Sequence, residues 1–330
     1  MQSDVLVGLA GVIASAAPIV IAAIGETLTE KSGMLNLSVN GIILLSAMGG
    51  FAVSYRTDNL AAGYLAGILI GALIGLILAF CTLTLYQSQV AVGLVLAFLC
   101  RDLSYFLGNG FMGLTAPVMH SATLPFLSEL PVLGSLFFDQ TVMTYLSLLC
   151  IPTALVWINH TRYGLVLRSV GERPEAAFAR GIDVKKVRYL YTIVGSALVG
   201  LAGPIYTLGL KPGWKGSMTG LDGIGWIVLA ITIFGGWNSF RVALGAYLFE
   251  LLRWLGLVYQ AQWSGVPSQV LQVAPFPLMI LTLVFVNMKN SEWFESLISL
   301  LPPPLYRFFS LKGKRNKAAP SSLGIPFRNV

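Results

Sequence analysis

Long apolar stretches follow one another through most of this chain, each about as long as a lipid bilayer is thick. A helix needs about 20 predominantly apolar residues to cross a hydrocarbon core of about 30 Å. Stretches of that kind fall near 5–24, 34–55, 61–85, 89–108, 139–159, 189–210, 223–237, 242–260 and 267–288. They are continuous rather than alternating with a period of two, which predicts helices and not a transmembrane barrel. Only 11% of the residues are charged, against about 25% in soluble domains. The expected fold is an all-α polytopic membrane protein with about nine spans. Residues 1–288 read as one transmembrane domain and 289–330 as a basic tail. Residues 5–25 are too long, and lack the basic leading region, for a cleavable signal peptide.

The charge distribution predicts an orientation. The net charge is +7, and 14 of the 21 basic residues lie in two places, 162–188 and the tail. That clustering is the bias of cytoplasmic segments, not a nucleic-acid footprint. With both segments cytoplasmic, the four spans between them cross an even number of times, and counting back puts the N-terminus outside. The outer loop 109–138 then carries no Lys or Arg, and Arg241 falls in an inner turn. Trp157, Trp237 and Trp263 sit near span ends, as interfacial tryptophans do. Cys81, Cys100 and Cys150 all lie in apolar stretches and read as small packed hydrophobes rather than a disulfide framework.

Four features stand out against this background. Segment 162–188 holds seven basic and three acidic residues between apolar stretches, so it should dock on something. Span three carries Gly63, Gly67, Gly71 and Gly75, a ridge at every fourth position that lets a neighbouring helix approach closely in lipid. Residues 25–41 are polar and interrupted by Gly33. Backbone of that kind at membrane depth survives only where protein buries it or a cavity wets it, and broken helices often line transporter paths. For 26–31 an ordinary cytoplasmic turn stands beside that reading; Asn36, Ser38 and Asn40 read as path residues. Finally, Arg101-Asp102 and Glu250/Arg253 are intramembrane charges that need partners or water. The spacing of Glu250 and Arg253 predicts an internal pair. Arg101 and Asp102, being adjacent, should point apart, so at least one should need another partner or a cavity.

Enzymatic chemistry finds no support. There is no GxxxxGK[ST] phosphate loop, so the chain should not hydrolyse ATP by itself. No HExxH, CxxC or GxSxG occurs, and His120 and His160 fall in different expected compartments. No cofactor or metal is expected on this chain.

The stretches GETLTEKSGMLNLSVNGIILLSA, TRYGLVLRSVGERPEAAFARGIDVKKVRYL, SALVGLAG, GIGWIVLAITIFGGWNS and SGVPSQVLQ resemble permease subunits of ABC importers. The resemblance is to the branched-chain amino acid, simple sugar and nucleoside group, and within it to the shorter permease of nucleoside systems. It implies a type II-like importer fold in a bacterial inner membrane. It also implies a cytoplasmic ATPase carrying ATP and magnesium, a second related permease and an extracytoplasmic substrate-binding lipoprotein. Residues Glu172, Pro174, Glu175, Ala176, Ala177 and Gly181 would form the EAA-like contact with the ATPase. Asn36, Ser38 and Asn40 would line the solute path, with Trp226 as its wall or as ordinary packing. Three places depart from the expected pattern. Asn40 stands where a Glu is expected, Phe98 and Arg101 where small polar or apolar residues are expected, and Asp222-Gly223 lacks an expected basic residue. A permease for a sugar or another small solute and an ATP-independent secondary transporter are the rival readings; the docking segment disfavours the second.

Overall fold

A computed structural model describes residues 2–123, 138–260, 277 and 319–327. Its helices are α1 (Gln2–Lys31), α2 (Val39–Thr57), α3 (Leu60–Ala79), α4 (Gln89–Gly108), α5 (Val142–His160), α6 (Arg162–Glu172), α7 (Pro174–Ala179), α8 (Val184–Ile205), α9 (Ile224–Phe234) and α10 (Ser239–Gln260). α3 and α8 each run on into one π-helical turn, Phe80–Thr84 and Tyr206–Leu210. A two-residue antiparallel pair, Ala122–Thr123 with Asp139–Gln140, joins the ends of the loop before α5.

Five helical stretches among the described residues are long and apolar enough to cross a membrane: Leu6–Lys31, Leu60–Thr84, Gln89–Phe111, Val142–His160 and Val184–Leu210. α2, with 19 residues, and α10, with 22, have the length but carry more polar groups. The expected span at 223–237 is corrected. α9 has 11 residues, about 16 Å of helix, which is half the hydrocarbon core. The expected span at 267–288, Trp263 and most of the basic tail lie outside the described residues.

α8 packs on α1, α2 and α3, and α2 is buried along most of its length. The glycine ridge of α3 explains how close these helices come. A Cβ on Gly71 would overlap the Ser196 carbonyl oxygen and lie 2.8 Å from the Gly200 Cα. One on Gly67 would lie 2.7 Å from the Gly200 oxygen, and one on Gly75 2.6 Å from the Ser196 Cβ. Gly63 faces α2, 2.7 Å from the Gly50 oxygen in the same sense. The ridge thus fits Thr192, Ser196, Gly200 and Pro204, a second every-fourth-residue stripe, on α8.

α1 remains helical through Lys31, and Glu26 and Glu30 are fully buried. The reading of 26–31 as a solvated turn is therefore corrected: the break comes later, at 32–38. It turns on Gly33, whose φ of 89° suits a residue without a side chain. α2 then starts at Val39, three residues before the apolar pattern resumes at Ile42.

Candidate functional site

Asn40 is the pivot of the candidate site. It is buried one residue into α2. Its Nδ2 donates to Asp222 Oδ1 (2.8 Å), and its Oδ1 accepts from the backbone N–H groups of Gly223 (3.0 Å) and Gly225 (3.2 Å). Those N–H groups begin α9 and have no partner within that helix. Asn40 therefore caps α9 from another helix. Gly225 makes this possible, since a Cβ there would overlap the Asn40 backbone.

The other end of α9 fixes its depth. Trp237 holds a left-handed φ of 53°, and its Nε1 donates to Glu30 Oε2 in the last turn of α1. α9 thus ends level with α1 and begins about half a membrane away. Residues 211–223 return from the far end of α8 to that depth. Within them Trp214 is fully buried, and a Cβ on Gly108 of α4 would overlap its indole.

A polar cluster opens from Asn40 onto the exposed face of α4. Tyr105 donates its hydroxyl to Asp222 Oδ2 (3.3 Å). Arg101 Nε donates to Asp102 Oδ1 at 2.9 Å, and the charge of Asp222 also acts on Arg101. Adjacent residues can therefore pair here, contrary to the expectation that they point apart. The Arg101 guanidinium lies over the Phe98 ring, 5.2 Å from its centroid. The cluster faces outward from the single chain. The Arg101 and Asp102 side chains are 32% and 65% exposed, Phe98 is 49% and Trp226 39% exposed. Charges on a spanning helix face need a wet cavity or a protein neighbour. All three departures from the expected pattern meet in this one cluster.

Asn36 and Ser38 belong to a different arrangement. Both are fully buried. Asn36 Nδ2 donates to Glu26 Oε2 (3.1 Å), while its Oδ1 accepts from the Ser38 backbone N–H (3.1 Å) and from the Ser38 hydroxyl. Leu35 N–H donates to Gln89 Oε1 at the start of α4 (2.7 Å). These residues satisfy the backbone of the break and hold it against α1 and α4. Glu250 and Arg253 form the expected internal pair at 3.1 Å. They act electrostatically on Lys211, which lines a cavity of about 370 Å³ with Tyr206, Lys215 and Thr219. That cavity lies at the end of α8 remote from α6 and α7.

Segment 162–188 forms α6, α7 and the start of α8. Pro174 opens α7 and is buried with Ala177; Glu175, Ala176 and Gly181 are exposed. Gly181 turns the chain with a φ of 82°, and Asp183 caps α8 by accepting from the Lys186 backbone N–H at 3.0 Å. That N–H, together with the Lys186 side chain, holds the Asp183 carboxyl below its usual range. Glu172 accepts from the Ser321 hydroxyl at 3.0 Å. Arg188 is buried completely. It donates to the Ser32 carbonyl (3.2 Å), the Ile325 carbonyl (3.0 Å) and Ser322 Oγ (3.0 Å).

The departures at Asn40, Phe98, Arg101 and Asp222 point from sequence to one shared place, but Tyr105, Arg188 and Ser322 carry no such mark, and Trp237, expected in an interfacial belt, is instead buried against Glu30. The usable signal was the set of departures. No signal in one sequence marks a tryptophan that meets a glutamate 207 residues away.

Comparison with known proteins gives the family. The chain is 35% identical over 253 residues to a protein of Haloferax volcanii provisionally named glucose ABC transporter permease protein TsgC13, covering 76% of each chain. It is 31% identical to the nucleoside ABC transporter permease protein NupC of Lactococcus lactis, covering 83% of this chain and 90% of the relative. It is 30% identical to the guanosine ABC transporter permease protein NupQ of Bacillus subtilis, covering 81% and 88%. No solved structure matches the chain. The family model described as branched-chain amino acid transport system / permease component matches residues 8–286, and the chain belongs to that family of membrane transport subunits.

Proposed function

We propose that this chain forms half of the translocation path of an ATP-driven importer for a nucleoside or similar small polar solute. The observation that carries this reading is the cluster of Asn40, Asp222, Tyr105, Arg101 and Asp102 beside the start of a half-length helix. Asp222 and Asp102 can accept hydrogen bonds from sugar hydroxyls. The Arg101 nitrogens beyond Nε can donate to carbonyl or ring acceptors. Phe98 and Trp226 offer exposed aromatic planes. The arrangement is polar but open, which suits a solute that must be released as readily as accepted.

The remainder of the assembly belongs to the same proposal. The chain lies in the bacterial inner membrane with its N-terminus outside and about nine crossings, one of them made by the return segment 211–223 and the half-length α9 rather than by a full span. α6 and α7 contact a cytoplasmic ATPase, which hydrolyses the ATP. A related second permease packs against the exposed α4 and α9 faces, and an extracytoplasmic binding protein delivers solute. Asn36 and Ser38 hold the wall in shape rather than touch solute. A sugar is the second reading, favoured by the 35% identical Haloferax protein; hydroxyl-rich sugars use the same acceptors. A thermal-shift screen of the cognate binding protein decides between them. Stabilisation by nucleosides and not by hexoses supports the first reading, and the reverse pattern supports the second. Expressing the chain with its ATPase and binding protein but no second permease tests the pairing, since robust uptake from that set would mean the chain pairs with itself.

A further inference from the structure

Segment 319–327 returns to the α6–α7 end of the bundle and touches three elements there. On α6, the Ser322 backbone N–H donates to the Gly171 carbonyl (3.0 Å). The Ser322 hydroxyl lies 2.7 Å from the Gly171 oxygen and 3.3 Å from that of Val170. These are carbonyls of the last helical turn, which lack partners within the helix. At the α1–α2 break, the Gly324 N–H donates to the Gly33 carbonyl at 3.1 Å. On α8, Arg188 donates to Ser322 Oγ and to the Ile325 carbonyl. Phe327 packs with the buried cluster of Val170, Ala177 and Val184, its ring 5.8 Å from that of Phe178 on α7.

We infer that segment 319–327 is a brace that makes α6, α7 and the α1–α2 break move as one body, with Arg188 as its anchor. Two contacts alone would leave the coupling helices free to rock. The brace satisfies the end of α6, fills the apolar space under α7 and grips Gly33, the residue on which the break turns. Arg188 also binds the Ser32 carbonyl, two residues beyond Glu30, which holds Trp237 at the foot of α9. A displacement of α7 therefore reaches the brace through the packing of Phe327 on Phe178 and Ala177, and continues to α9 through the hydrogen bonds of Arg188, Gly33 and Glu30. This inference rests on α6 and α7 being the ATPase contact and is independent of which solute is carried.

The test uses the assembled transporter with its ATPase, second permease and binding protein, reading ATP hydrolysis with and without loaded binding protein. Ending the chain after Ala318 should leave assembly and basal hydrolysis intact and reduce stimulation about tenfold, within the usual range of coupling between sites. A synthetic peptide of residues 318–330 should restore it. Arg188→Ala should behave like the truncation, and Arg188→Lys should recover only part. Wild-type stimulation in the truncated complex overturns the brace. Should the truncation fail to assemble, the full chain with Val184→Cys and Phe327→Cys, two residues that pack in one cluster, its natural cysteines replaced, decides the matter. Closing a short thiol cross-linker should leave stimulation unchanged; loss on closing, regained on reduction, would show that the segment must release and overturns the brace. A wild-type complex in which the ATPase neither binds nor hydrolyses overturns the coupling reading itself.

Discussion

Exchanging Asn40 and Asp222 probes the joint between α2 and α9. Asn40→Asp keeps the acceptor for the Gly223 and Gly225 N–H groups but removes the donor to Asp222. A hydrogen bond to a charged group contributes about 1.5–3 kcal/mol. The change also sets two carboxylates at hydrogen-bonding distance. At about 4 Å and an effective dielectric constant near 20 that repulsion is about 4 kcal/mol; the exposure of Asp222 and proton uptake reduce it. The net cost should be about 2–4 kcal/mol. Asp222→Asn alone turns a charge-assisted bond into a neutral one and should cost about 1 kcal/mol. The double variant restores donor and acceptor with their places exchanged, and should return to within about 1 kcal/mol of the parent. Thermal unfolding of the four proteins in nanodiscs gives the cycle. A coupling of about 2 kcal/mol or more is expected, well above the roughly 0.5 kcal/mol scatter of independent sites. Additive effects would refute the joint. Uptake should follow the same order, because a loosened α9 start displaces Trp226 and the Asp222 acceptors together.

Two other expectations concern the scaffold. Gly71→Ala places a methyl group into the Ser196 carbonyl and should destabilise the chain by about 1–3 kcal/mol. Gly11→Ala, with open space around it, should be neutral or slightly stabilising by helix propensity; equal effects in nanodisc unfolding would contradict the α3–α8 packing. Asp183→Ala should cost about 0.5–2 kcal/mol through loss of the α8 cap. Because the folded carboxyl is held below its usual range, the cap's contribution is full above the ordinary carboxylate value and fades as pH falls through the folded one. The difference between parent and Asp183→Ala should therefore narrow in acid; a constant difference would contradict the cap.

What was legible in one sequence followed from periodicity and composition. Apolar length gave the spanning helices, and the every-fourth glycine spacing gave the α3 ridge. The basic segment, with Pro174 as a helix-start signal, gave the short helices α6 and α7. The length of α9 was not legible, because Ile224–Phe234 and the residues after it are apolar whether or not they cross. Nor was the end of α1: Glu26 and Glu30 look like solvated residues until Asn36 and Trp237 are seen to donate to them. A buried polar contact between residues far apart leaves no periodic trace. The resemblance supplied what periodicity could not, since the departures at Asn40, Phe98, Arg101 and Asp222 proved to be neighbours in space.

The most direct test of the transport assignment is uptake into proteoliposomes holding this chain, its partner permease and its ATPase, with loaded binding protein on the outer side and ATP within. Labelled guanosine or uridine should accumulate with ATP and not with a non-hydrolysable analogue. Replacing both Arg101 and Asp222 by Ala should abolish accumulation while leaving basal ATP hydrolysis in place. Accumulation that persists without ATP, or that is unchanged in the Arg101→Ala, Asp222→Ala chain, would contradict the account.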